Sequence, residues 1–166
     1  SKILDILKQE NVKATFFILG SNVDSRKDVV KRMYEEGHLI GNHTYRHVDL
    51  SKISGREAEK EIKTTDEAIK KITGHETEFI RPPFGAMPEG EEDPDKIYVK
   101  WTVDSLDWVT KDTEKIVEKV TADTKEGDVI LMHDCYGESV EAALQIVDIM
   151  EKQGYEFVTA DELIIN

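Results

Sequence analysis

Asp128-Val129-Ile130-Leu131-Met132 is an apolar run that stops on His133-Asp134. A short run with almost no polar side chain fits a strand buried on both faces, as in a parallel sheet, better than a half-exposed hairpin strand. Comparable runs stand at 12–19 (VKATFFIL), 38–40 (HLI), 78–80 (EFI), 97–103 (IYVKWTV) and 155–158 (YEFV). Helical patterns separate them. Residues 1–10 place Ile3, Leu4 and Leu7 on one side, and 26–36 carries Val29, Val30, Met33 and Tyr34 before Gly37. The clearest is 54–73, where Ser54 and Glu57 form a capping box, Ala58, Ile62, Ile69 and Ile72 make one stripe, and Gly74 ends it. Further helices are expected near 112–124 and 138–152, with Thr159 and Glu162 capping a last short one. Strand alternating with helix predicts an α/β fold, either an open doubly wound sheet or a barrel.

The polar residues fall where such a fold does chemistry. His43 and His47 follow the run at 38–40, Arg81 follows 78–80, Asp104 and Asp107 follow 97–103, and His133 and Asp134 follow 128–132. Loops at the C-terminal ends of parallel strands converge over a rigid scaffold, and ligands bind there.

Composition narrows the function. The 166 residues are 39% hydrophobic and 34% charged, without repeat or linker, so one domain over 1–166 is expected. A chain this long buries about 70% of its unfolded surface and needs no metal merely to fold. The net charge of −13 repels phosphate backbones and anionic membrane surfaces, which argues against a nucleic-acid partner. No apolar run approaches 18 residues, so no membrane insertion is expected within the chain, and no signal peptide is visible. Cys135 is the single cysteine, which excludes an internal disulfide and any CxxC site.

Each motif also has a plainer reading. His43-x-x-x-His47 sets two imidazoles one helical turn apart, close enough to share a zinc-sized ion, but such a pair also arises by chance. Arg81-Pro82-Pro83-Phe84-Gly85 is either a guanidinium held over the rim or a rigid turn with a surface arginine. Asp104-Ser105-Leu106-Asp107-Trp108 is either a carboxylate beside a binding aromatic or a helix-entry cap with a packed tryptophan. His133 is a general acid/base or a satisfied core histidine. His38 and His75 read as structural or exposed. Cys135 reads as a packed thiol. The acidic run of Glu89, Glu91, Glu92, Asp93 and Asp95 reads as a solvated loop, with calcium binding as the alternative.

Taken together, GHLIGNHTYRHVDL (37–50), RPPFG (81–85), DSLDW (104–108) and LMHD (131–134) resemble, in order, motifs of the polysaccharide deacetylase family, the NodB-homology domain of carbohydrate esterase family 4. KATFFILG (13–20) and GYEFVTADEL (154–163) are similar to its flanking core segments. The resemblance implies an irregular (β/α) barrel of about seven parallel strands. It also implies metal-dependent removal of N-acetyl groups from GlcNAc-containing polysaccharide, chitin-type or peptidoglycan, outside the cytoplasm. By the same resemblance His43 and His47 are metal ligands, for Zn with Co or Ni as alternatives. His133 is the proton donor, Asp107 its partner, and Arg81 a clamp on the base. Pro83, Phe84, Trp108 and Leu131 contact substrate.

Family members carry a first strand ending Thr-Phe-Asp-Asp-Gly, which supplies the base and a third ligand. No two aspartates are adjacent in these 166 residues. The chain is therefore expected to be N-terminally incomplete. The alternative is a carbohydrate-binding pseudoenzyme that has lost the base. A second departure is AMPEGEEDPDKI (86–97), which stands where the family has a helix and contains Pro88 and Pro94.

Overall fold

The structure, a computed structural model, describes residues 1–88 and 93–165. Its elements run α1 (Lys2–Gln9), β1 (Thr15–Ile18), α2 (Gly20–Val23), α3 (Lys27–Glu35), β2 (Leu39–Asn42), α4 (Gly55–Thr73), β3 (Phe79–Ile80) and β4 (Ile97–Tyr98). They continue with β5 (Val103–Asp104), α5 (Asp107–Thr110), α6 (Thr113–Asp123), β6 (Ile130–Leu131), α7 (Gly137–Lys152) and α8 (Ala160–Ile165). The chain forms two compact units, Thr15–Lys100 and Ser1–Ala14 with the residues from Trp101 onward.

In the first unit β1 to β4 pair in parallel in sequence order. Thr15–Ile18 lies in register with Leu39–Asn42, and Asn42 pairs with Ile80. Helix α4 packs on α2, α3 and β2. Its length follows from its ends: the Ser54 side chain accepts from the Glu57 amide and the Glu57 carboxylate accepts from the Ser54 amide, the reciprocal box read in the sequence. Ile62 and Ile69 of its stripe are buried, as are Ile40, Phe79 and Ile80 of the strands.

In the second unit β5 and β6 pair in parallel, Val103 with Ile130 and Asp104 with Leu131. Helices α6 and α7 enclose a cluster of Ile116, Val117, Val120, Ala142, Ile146 and Met150. Thr159 and Glu162 cap α8 as expected, the Glu162 carboxylate accepting from the Thr159 amide at 3.0 Å.

Two strand expectations are corrected. The run at 97–103 is two strands, β4 and β5, in different sheets. The segment 155–158 joins no described strand, and its alternating aromatics serve another purpose: Tyr155 and Phe157 pack against the α6–α7 cluster. Six strands are present among the described residues, all paired in parallel. No described helix is long and apolar enough to cross a membrane. Of the acidic run, Glu89, Glu91 and Glu92 lie outside the described residues.

Candidate active site

In the first unit His43 and His47 follow β2. The stretch that holds them is a loop rather than the expected helical turn. Thr44 and His47 adopt φ of 64° and 59°, a left-handed conformation unusual for side chains larger than glycine. The curl brings the two rings edge to face, with centroids 4.9 Å apart, and Phe84 stands 4.8 Å beyond His47. His43 Nδ1 donates to the Arg81 carbonyl at 2.6 Å. The acceptor can only be the carbonyl, so in the neutral ring Nε2 carries the lone pair, the arrangement in which histidine ligates metals.

Close packing supports this loop. Gly20 and Ser21, at the start of α2, donate their amides to the Thr44 and Tyr45 carbonyls at 3.0 Å each. A Cβ on Gly20 would stand 2.6 Å from the Tyr45 ring and 2.5 Å from the Thr65 hydroxyl, so the approach needs glycine.

Arg81 follows β3 and is buried, which overturns the surface-arginine alternative. Its guanidinium lies 4.3 Å over the Phe17 ring and donates to the carbonyls of Val99 and Lys100. Burial pulls its pKa down to about 10, so it stays a cation at neutral pH. Pro83 is buried, whereas Phe84 is 67% exposed with φ of 60°.

In the second unit Asp107 and His133 follow the paired ends of β5 and β6. Asp107 is fully buried. Its Oδ1 accepts from the His133 ring Nδ1 at 2.8 Å and its Oδ2 from the His133 backbone amide at 2.6 Å. Burial alone pushes this carboxyl up, but the hydrogen bonds from the His133 ring and backbone outweigh it and hold the pKa below the ordinary carboxylate value. Trp108 is half exposed on α5, which corrects the packed-tryptophan alternative, and Leu131 lies half-buried in β6. Cys135 is exposed rather than packed, because it sits in the turn between β6 and α7. His38 is buried edge-on to Phe16 and His75 is exposed beside Tyr34, as expected.

The two imidazoles of the loop suit a borderline divalent ion such as Zn²⁺ as part of a ligand set. Among the described residues no third histidine, cysteine or carboxylate joins them. Sequence reasoning passed over the buried polar residues beneath the loop. Asn42 donates to Asp66 at 2.8 Å and to the Ile62 carbonyl at 2.9 Å, and accepts from the Thr44 amide at 2.8 Å. Asp66 also pairs with the half-buried Lys96 at 2.7 Å. The available signal was a carboxylate within the apolar stripe of α4.

Residues 1–93 match the profile of the polysaccharide deacetylase family. A peptidoglycan-N-acetylglucosamine deacetylase of Bacillus cereus is 40% identical over 95% of this chain and 60% of the relative. The solved structure of the peptidoglycan deacetylase PdaC from Bacillus subtilis superposes with a TM-score of 0.93, at 37% identity, over 98% of this chain and 81% of that one. A CE4 family pseudoenzyme from Bacillus anthracis is also similar, with a TM-score of 0.88 and 26% identity over 98% of this chain and 59% of that one. The chain spans 60% of the length of that Bacillus cereus relative and 35% of the length of a peptidoglycan-N-acetylglucosamine deacetylase of Listeria monocytogenes that is 39% identical.

Proposed function

This chain belongs to the polysaccharide deacetylase family, and we propose that it hydrolyses N-acetyl groups of a GlcNAc-containing polysaccharide, peptidoglycan or chitin-type, outside the cytoplasm and with a divalent metal. The buried Asp107 bonded to both the ring and the amide of His133 carries this reading. A binding surface gains nothing from a desolvated carboxylate, whereas a proton donor gains a fixed tautomer and a stabilised imidazolium. With Nδ1–H held by Asp107, His133 presents Nε2 as the site of proton exchange. Its proton passes to the amine nitrogen as the C–N bond breaks, and the amine leaves neutral.

His43 and His47 are the proposed metal ligands, for Zn with Co or Ni as alternatives. Such an ion, when bound, polarises the amide carbonyl and acidifies water. Arg81 is assigned to position a carboxylate base, a role suited to a guanidinium already desolvated against Phe17. Pro83, Phe84, Trp108 and Leu131 are assigned to substrate contact, consistent with the exposure of Phe84 and Trp108.

A second reading, a non-catalytic carbohydrate binder, is favoured by the lack of any Asp-Asp pair in the 166 residues. Acetate release from chito-oligosaccharides and peptidoglycan fragments separates the two. The chain alone, even with saturating Zn²⁺ or Co²⁺, is expected to release almost none. The chain with a strand ending Thr-Phe-Asp-Asp-Gly, as the family resemblance implies, placed ahead of Ser1 is expected to be active and to be silenced by a chelator. Activity in neither form supports the binder. Full activity in the chain alone means that another carboxylate, such as Asp49 or Asp104, is the base.

A further inference from the structure

Glu61 lies on the face of α4 that packs toward the histidine loop and is buried, only 5% exposed. Its Oε2 accepts from two successive backbone amides, Tyr45 at 3.0 Å and Arg46 at 2.8 Å, while its Oε1 accepts from Arg46 Nε at 2.7 Å. Those amides lie between His43 and His47. Burying a carboxylate is costly unless its oxygens are bonded, and two of the three bonds here go to the backbone of one strained turn. The Arg46 side chain is 70% exposed, so it cannot be what the burial serves.

All four amides from His43 to Arg46 have partners outside the loop's own backbone. His43 donates to the Ile18 carbonyl, Thr44 to the Asn42 side chain, and Tyr45 and Arg46 to Glu61. The first two partners belong to strands β1 and β2. Among these amide partners Glu61 holds the later half of the loop, where the chain must bend back to present His47; α2 adds only the Ser21 amide on the Tyr45 carbonyl there. Nothing in residues 44–47 favours that bend: Thr44 and His47 pay a conformational cost at φ of 64° and 59°, with no glycine to relieve it.

We propose that Glu61 is the positioning residue for the His43–His47 pair: its carboxylate, acting through the Tyr45 and Arg46 amides, imposes the curl that lets both imidazoles serve one metal ion. The proposal rests on the metal reading above only for the identity of the ligand. The juxtaposition of the two rings stands apart from it. Glu61 acts through the backbone, so an amide in its place suffices: Gln can aim its carbonyl oxygen at the two amides, and Arg46 can swing into solvent.

The test uses the whole chain with Glu61→Ala, Glu61→Gln and Arg46→Ala, and Glu67→Gln as an exposed control on the same helix. Nuclear Overhauser contacts between the His43 and His47 rings are expected in wild type, Glu61→Gln, Arg46→Ala and Glu67→Gln, and are expected to vanish in Glu61→Ala. Co²⁺ affinity should follow the same order, falling about 10- to 100-fold in Glu61→Ala and staying within about threefold in the others, the range seen when groups that orient metal ligands are removed. If Glu61→Ala does not fold, hydrogen exchange in wild type decides: the Tyr45 and Arg46 amides must be protected without metal, and free exchange there overturns the proposal. Ring contacts and affinity that survive Glu61→Ala overturn it equally. A wild-type chain that takes up no Co²⁺ but keeps its ring contacts, and loses them in Glu61→Ala, refutes the metal reading and upholds the positioning role.

Discussion

The Asp107–His133 pair and the His43–His47 loop are built by opposite means. The first follows almost directly from strand register. β5 and β6 pair Asp104 with Leu131, and three residues beyond one end and two beyond the other a buried carboxylate meets an imidazole and the amide behind it. Asp107 and His133 carry the arrangement, with the Ser105 hydroxyl accepting from the Asp107 amide. The histidine pair comes from one short loop whose shape no local preference supports, and the loop leans on α2, on the strands beneath and on Glu61 of α4. Precision in the first case is held by two side chains and a ladder. In the second it is distributed, so the first should break sharply at one residue and the second at several places by smaller amounts.

The largest effect is expected at Asp107. In the acetate-releasing form, Asp107→Asn keeps the shape but removes the charge that fixes the His133 tautomer, and turnover should fall about 10²–10⁴-fold, the range for losing general acid–base catalysis. Removing the adjacent negative charge also lowers the pH at which the His133 imidazole titrates, measurable by NMR in the unextended chain. The wild-type carboxylate adds a second signature. Its folded pKa lies below the unfolded value of about 3.9, so the stability it contributes is fully present above that value and is lost as pH falls through the lower folded value. Wild type should therefore lose more stability in that acid window than Asp107→Asn, which keeps only the contributions of the other carboxylates. Parallel stability curves for the two would remove Asp107 as the charged partner.

These differences explain what could be read before the structure was known. The strand-end placement of Asp107 and His133 was legible because both follow apolar runs, whereas their pairing came from the family resemblance. The stripe and capping box of α4 were legible because both are local. Strand lengths were not: the run at 97–103 divides between two sheets, and the aromatics of 155–158 pack on helices instead of joining a described ladder. Alternation reports which side chains are buried, not which backbone edge is available to pair. The loop was half legible. Spacing identified His43 and His47 but suggested a helical turn, since positive φ at Thr44 and His47 has no signature in residues that are not glycine. Glu61 fell between stripe positions Ala58 and Ile62, where a carboxylate looks like an exposed flank until the loop is seen against it.

A smaller effect is expected beneath the loop. Gly41 of β2 packs so closely that a Cβ would stand 2.5 Å from the Phe17 ring and 3.1 Å from the Phe79 carbonyl. Phe17 is the ring on which Arg81 lies, and β2 leads directly into His43. Gly41→Ala should cost about 1–3 kcal/mol, as overpacking of a filled core does, and should loosen the His43–His47 ring contact while leaving the His133 titration at its wild-type position. Denaturant unfolding and the two NMR readings check this. A shift at His133 of the size seen in Asp107→Asn would mean that the two arrangements are not held independently.

The smallest effect concerns the reach of α4. Ser54→Ala removes the side-chain acceptor of the Glu57 amide and releases the Glu57 carboxylate from its reciprocal bonds. Losing such a cap costs about 1 kcal/mol, or about 2–4 °C in the melting midpoint of a chain this size. Fraying of this kind is confined to the first turn, whereas Glu61 sits a full turn beyond Glu57 and is held by buried bonds on its own face of the helix. The midpoint should therefore drop while the protection of the Tyr45 and Arg46 amides stays at the wild-type level. If that protection falls with the midpoint, the support of the loop extends to the start of α4, and the contrast with the Asp107–His133 pair becomes larger still: a hydroxyl outside the loop, at the cap of a helix, would then help to set how the two histidines stand.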